Sequence, residues 1–127
     1  MLINKKLTFL ITSSILLAAC TKRTVAENDN TPPVIAIISP LNNQHFNAGE
    51  IIQITAEASD NNKVIELHIH VSNTATGILL RDIHSYPGKS NATAEDSFAA
   101  ETGVNYTIKI LAIDAAQNQS SAEVFVQ

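Results

Sequence analysis

The sequence predicts an all-β fold over residues 33–127, a seven-stranded antiparallel sandwich. Three observations carry that expectation. Apolar residues recur at every second position, turn formers interrupt them at short intervals, and no stretch shows a helical period. Ile52, Ile54, Ala56 and Ala58 alternate with Gln53, Thr55, Glu57 and Ser59. Ile65, Leu67, Ile69 and Val71 alternate with Glu66, His68, His70 and Ser72. Tyr106, Ile108, Ile110 and Ala112 alternate with Thr107, Lys109 and Leu111, and Val124 and Val126 close the chain. Such alternation gives a strand one buried face and one open face, and the richness in β-branched residues agrees. Turn formers fall at Asn42-Asn43, Asn47 to Gly49, Asp60 to Asn62, Asn73 to Gly77, Pro87-Gly88 and Asn118. They separate strands expected at 33–39, 50–58, 63–72, 78–84, 94–100, 104–113 and 121–126. Short strands at this density are the pattern of a sandwich with Greek-key connections.

Composition narrows the chemistry. Apolar residues make up 45% of the 127, but aromatics only 5% with no Trp, so the core has to be built from Ile, Val, Leu and Ala. The single Cys excludes a disulfide framework and a Cys-rich zinc site. Two of the eight Lys and Arg fall in the first 19 residues and all twelve acidic residues lie beyond them, leaving a formal charge of −6 on the remainder. A surface of that sign is unsuited to nucleic acid.

Residues 1–19 read as a secretory signal peptide: Lys5 and Lys6 form a positive start, and Leu7 to Leu17 an apolar stretch. That stretch is shorter than the roughly 20 residues a membrane-spanning helix needs. It ends in Leu17-Ala18-Ala19-Cys20, which resembles a bacterial lipoprotein lipobox. The resemblance implies cleavage before Cys20, acylation of that residue, and a membrane held as partner through two or three acyl chains. Thr21 is not the Asp associated with inner-membrane retention, so the expected location is the outer membrane, on either of its faces. Residues 20–32 are polar and lack periodicity, as expected of a flexible lipid-anchored linker.

Two blocks resemble bacterial Ig-like, fibronectin-III-like domains. The first runs from Pro33-Val34-Ile35-Ala36-Ile37-Ile38-Ser39-Pro40 through Phe46-Asn47-Ala48-Gly49-Glu50 to Ile52–Asp60. The second is Tyr106–Ile110 leading into Ala112-Ile113-Asp114-Ala115-Ala116-Gln117-Asn118-Gln119-Ser120. The resemblance covers essentially all of 33–127 and implies a disulfide-free sandwich serving as an accessory, adhesive or spacer module. A single copy behind a lipobox is similar to small lipoproteins of Bacteroidetes-type bacteria. It also makes Tyr106 the candidate corner tyrosine, whose hydroxyl bonds upstream backbone. Asn43 and Gln117 stand where the family often has Gly. Asn accepts a positive φ and Gln does so poorly, so the last turn is expected to differ from the family's.

The side chains that carry chemistry are few. His68 and His70 share a strand face with Cα atoms ~6.7 Å apart, close enough for two imidazoles to meet one ion. A hairpin turning at Thr74 to Thr76 would set His70 opposite Leu80, His68 opposite Asp82 and Glu66 opposite His84. Glu66, His68, His70, Asp82 and His84 would then offer ligands to Zn²⁺, Ni²⁺ or Cu²⁺. A one-residue slip would instead bring Leu79, Arg81 and Ile83 to that face, and Arg81 would repel a cation. Otherwise the imidazoles are solvent-facing strand residues, or a contact surface sensitive to pH. Asp60, Asp114 and Asn118 belong to loops expected at one end of the sandwich, where they serve either as turn caps or as calcium ligands.

No catalytic set emerges. His84 and Ser85 are chain neighbours on opposite faces, Glu95 and Asp96 likewise, and neither a G-x-S-x-G elbow nor a phosphate loop occurs. The expected function is therefore non-enzymatic: an anchored module contacting another envelope protein, a glycan or a host surface. The alternative is a transition-metal-binding lipoprotein.

Overall fold

The computed structural model describes residues 28–127; the expected signal peptide, Cys20 and the first part of the expected linker lie outside the described residues. Six strands follow in order: β1 (Val34–Ser39), β2 (Ile51–Asn73), β3 (Leu79–Ser85), β4 (Lys89–Ala99), β5 (Tyr106–Asp114) and β6 (Gln119–Val126). All pairings between them are antiparallel. Among the described residues no helix is long and apolar enough to cross a membrane.

Two of the expected strands are one. β2 is a continuous element of 23 residues that serves both layers of the sandwich. Its first half, Ile51 to Ser59, lies between β1 and β4, and its second half, Val64 to Asn73, lies between β3 and β5. β6 extends the second layer beyond β5. The expected turn at Asp60 to Asn62 is instead a bend within the strand. Asp60 Oδ2 accepts the Asn62 N–H at 2.8 Å, so these polar residues satisfy the backbone locally without reversing it. Strands that cross from one sheet to the other at such bends are an established way of turning a sandwich corner. The loop after β1 closes the opposite margin, where Gln44 pairs in parallel with Val126.

The dry interior follows the alternation closely. Ile52, Ile54, Ala56 and Ala58 of β2 meet Leu67, Ile69 and Val71 of the same strand, with Ile108, Ile110 and Ala112 of β5, Ala92 and Ala94 of β4, and Val126. Ile65 is the exception: Val64 is buried in its place. Pairing with β5 shifts between Val64 and Glu66, and a residue inserted in this way reverses the parity of the side chains beyond it. The Tyr106 hydroxyl accepts the Glu101 N–H at 2.8 Å, which is the corner tyrosine the resemblance implied. Its ring meets Phe98 edge to face at 5.0 Å between centroids. On the same side, Arg81 of β3 donates two hydrogen bonds to Asp96 of β4, at 2.7 and 2.8 Å, joining edge strands of the two layers. The bonded Arg81 guanidinium holds the Asp96 carboxyl below its ordinary range, against the opposing effect of burial.

The last turn keeps a left-handed residue, contrary to the expectation that Gln would alter it. Gln117 has φ 71° and Asn43 has φ 62°. The turn holds because Asp114, wholly buried, accepts the Ala116 and Asn118 N–H groups, both at 2.8 Å. A non-glycine residue in this region is strained, while glycine adopts it freely. Gln117→Gly is thus expected to stabilise the domain by about 0.5–1 kcal/mol, net of the larger entropy of the unfolded chain. Urea denaturation tests this, and an unchanged midpoint would show that the turn carries no strain.

Candidate metal centre

The hairpin joining β2 to β3 builds the site. Asn73 starts the loop: its Oδ1 accepts the N–H groups of Ala75 and Thr76 at 2.9 and 3.2 Å, and its carbonyl accepts that of Gly77 at 2.8 Å. Gly77 has φ 71°, a conformation the loop needs and a side chain would resist. The Asn73 N–H donates to Ile78 O at 2.9 Å, and the register then slips, so that Ser72 faces Leu79 and Val71 faces Arg81. Leu80 is the extra residue on β3.

This slip corrects the expected pairing. His68 lies opposite His84 and His70 opposite Asp82, two residues away from the anticipated register. Leu80 does not face His70, and Glu66 does not face His84. A shift of two preserves the face of every side chain, whereas a shift of one would have reversed it. Arg81, the cation that could have spoiled the site, is on the other face, bound to Asp96.

Four of the five expected ligands converge. One ligand atom from each of His68, His70, Asp82 and His84 lies within 4.8 Å of all the others. The rings of His68 and His84 are 4.0 Å apart between centroids, and those of His68 and His70 5.8 Å. Asp82 Oδ1 sits between two imidazoles, 2.8 Å from His84 Nε2 and 3.2 Å from His70 Nε2. The hydrogen bond to His84 is the main cause that lowers the Asp82 carboxyl below its ordinary range. Attraction to the three imidazoles adds to it and desolvation opposes it. Asp82 is consequently an ionised acceptor at neutral pH.

Glu66 takes a different place from the one expected. Its Oε2 accepts a hydrogen bond from His68 Nε2 at 3.1 Å, which leaves Nδ1 of that ring as the nitrogen with a free lone pair. A carboxylate behind an imidazole fixes the tautomer and raises the basicity of the ring. His68 is 8% exposed, while the side chains of His70, His84 and Asp82 are between 32% and 41% exposed. The cluster thus has one anchored ligand at its base and three at an open rim.

The loop-end residues are also brought together. Asp114 Oδ2 accepts the Asn118 side-chain amide at 2.7 Å, and Asp114 and Asn118 act as turn caps. Asp60 caps its own bend and lies within the same cluster. Asp29 joins them, although the sequence placed it in a flexible linker; the Asn118 amide holds its carbonyl at 3.0 Å. Its one sequence signal is an isolated acid in a polar run before Pro32-Pro33.

A family model described as bacterial Ig domain matches residues 33–110. The chain belongs to the bacterial Ig domain family. The fold of this Ig domain is similar to that of a superoxide reductase (neelaredoxin) from Ignicoccus hospitalis, the T24K form. That likeness has a TM-score of 0.54 at 9% identity, over 76% of this chain and 78% of the other. The Ig domain is also similar to the fibronectin(III)-like modules of Clostridium thermocellum CbhA, at 23% identity and a TM-score of 0.49, over 73% and 92% of the two chains. No curated protein matches the chain in sequence.

Proposed function

We propose that this Ig domain is a non-enzymatic, lipid-anchored module of the outer membrane that holds a divalent transition metal on its β2–β3 hairpin. The observation that carries the reading is the convergence of three imidazoles and one carboxylate within 4.8 Å. Imidazole suits Zn²⁺, Ni²⁺ and Cu²⁺, and four donors match the tetrahedral preference of Zn²⁺. His68 Nδ1, His70, His84 and Asp82 would bind the ion, with Glu66 orienting His68. The open rim favours exchange, which suits capture or buffering at the envelope. Calorimetric titration of the untagged chain in detergent is expected to give one site with micromolar or tighter affinity for Zn²⁺ and tighter still for Cu²⁺. Affinity weaker than high micromolar would end the metal reading.

The tether rests on the lipobox at Cys20. Cys20→Ser is expected to move the protein from the membrane to the soluble fraction. An acylated, membrane-bound variant would rule the anchor out.

A second reading, contact with another envelope protein, a glycan or a host surface, is supported by the tip of the same hairpin. Ile78, at the end of the loop, and Leu79 and Leu80, which open the edge strand β3, are exposed in succession there, as a docking surface would be. Leu79→Glu with Leu80→Glu is expected to abolish a specific cross-link formed in intact cells; an unaltered cross-linking pattern removes this reading.

A further inference from the structure

The β2–β3 hairpin leaves one margin of the sandwich open. Among the described residues β3 pairs with β2 alone, so the backbone groups along its other side have no strand to meet. Ile83 in this strand is only half-buried, and Leu79, Leu80 and Tyr86 flank it as exposed apolar side chains. Such an edge is a template for another strand, and its own sequence shows which one fits.

A second copy of β3 laid antiparallel against the first has few workable registers. Opposed residues have to share a face, so the pairing is centred on a residue rather than between two. Centred on Arg81 or on Asp82, it sets like charges directly against each other, which destabilises a sheet. Centred nearer either end, it overlaps only a few residues of the strand. Centred on Ile83, it sets Ile83 against Ile83 and, twice over, Asp82 against His84. Arg81, already bonded to Asp96, then meets only Ser85, and Leu80 comes level with Tyr86.

An independent observation concerns His84. Its Nε2 lies 2.8 Å from Asp82 Oδ1. With metal bound, both atoms are ligands: the ion replaces the proton on Nε2, and the remaining proton sits on Nδ1. A ligating imidazole hands that second proton to a carboxylate, a carbonyl or water, as His68 does to Glu66. Within the described residues His84 Nδ1 forms no such bond, and Asp82 receives both of its imidazoles on Oδ1, which leaves Oδ2 to accept from outside.

We propose that two copies of the chain join through β3, antiparallel about Ile83, and that Asp82 of each copy orients His84 of the other. The second half of this inference rests on the metal reading. Asp82 Oδ1 binds the ion of its own copy, and Oδ2 accepts the Nδ1–H of His84 in the second copy. Opposed residues on antiparallel strands have Cβ atoms about 4.5–5.5 Å apart, and Nδ1 is the imidazole nitrogen nearer the backbone, so the two groups are within reach. The sheet then runs unbroken from β6 of one copy to β6 of the other, with both histidine clusters on one face. Each metal site is complete only in the dimer.

The test uses the full chain carrying Cys20→Ser, in mild detergent, so that an introduced thiol has no native competitor. Ile83→Cys is expected to give a covalent dimer under diamide, because opposed residues on antiparallel strands have Cα atoms about 4.5–5.5 Å apart, within disulfide range. Leu80→Cys with Tyr86→Cys alters only exposed side chains and should cross-link likewise, which covers a failure of Ile83→Cys to fold. Ser121→Cys on β6, at the far edge of the same layer, should stay monomeric. Zn²⁺ should bind the cross-linked dimer at least about tenfold more tightly than the reduced chain at high dilution. Cross-linking no greater at Ile83 and at Leu80 with Tyr86 than at Ser121 would overturn the interface, while Zn²⁺ binding by a single chain would still stand. Equal Zn²⁺ affinity in dimer and monomer would overturn the role of Asp82 across it. A dimer that forms while neither state binds Zn²⁺ would remove that role and the metal reading together.

Discussion

Zn²⁺ affinity is expected to fall at least about 100-fold when His68 and His70 are both replaced by alanine. The loss follows from the ligand count: β3 alone retains His84 and Asp82, and two donors on one strand cannot enclose a tetrahedral ion. His70 is half-exposed, and the strand is pinned from its other face by Leu67, Ile69 and Val71, so the domain should stay folded. The far-ultraviolet spectrum checks this, and competition with a chromophoric chelator measures the affinity. Glu66→Gln should cost less, about tenfold, because it removes the group that orients His68 rather than a ligand. Protons compete with the metal for imidazole nitrogen, so affinity should also decline as the medium is acidified. Undiminished Zn²⁺ binding in the double variant would place the metal elsewhere.

Ile69→Ala carries the largest expected cost in stability, about 2–5 kcal/mol by urea denaturation. Ile69 is fully buried, faces Ile110 on β5 and Ile83 on β3, and lies between the two histidines of its strand. Truncating it leaves a cavity beneath the histidine cluster without touching any of its side chains. Because only the folded state presents the cluster, Zn²⁺ at about 100 times its Kd should restore about 2.7 kcal/mol. Failure of Zn²⁺ to raise the midpoint would show that the histidines do not bind metal in the folded domain. A loss below about 1 kcal/mol would mean that the two layers are not packed across Ile69.

Much of the fold is legible in the sequence, and where it is not the causes are physical. The inward face of residues 52–58 was legible because nothing interrupts the pleat there. It fails at Ile65 because one inserted residue exchanges the faces, and Val64 and Ile65 are adjacent apolar residues, either of which suits the inward position. The histidine cluster was legible as a set although its pairing was not. The extra residue Leu80 lies in an apolar run, so nothing distinguishes the residue that is extruded, yet the slip it causes is even and keeps Asp82 and His84 beside His68 and His70. Arg81 could be placed on neither face until its partner Asp96 was known. Asp29 is not legible in the sequence for a further reason: a polar segment without periodicity carries no local signal of where it will dock, and its contact with Asn118 spans 89 positions.

The length of β2 has one more consequence. A sandwich made of separate strands can in principle open by parting its halves, each keeping its own hydrogen bonds. Here the same backbone is the central rail of both, with β1 and β4 along one stretch and β3 and β5 along the other. Unzipping either half frees an end of the rail on which the other depends. The slowest-exchanging amides at Ile54 and Ile69 should accordingly share a single opening free energy, and the molecule should yield to heat or force as one piece.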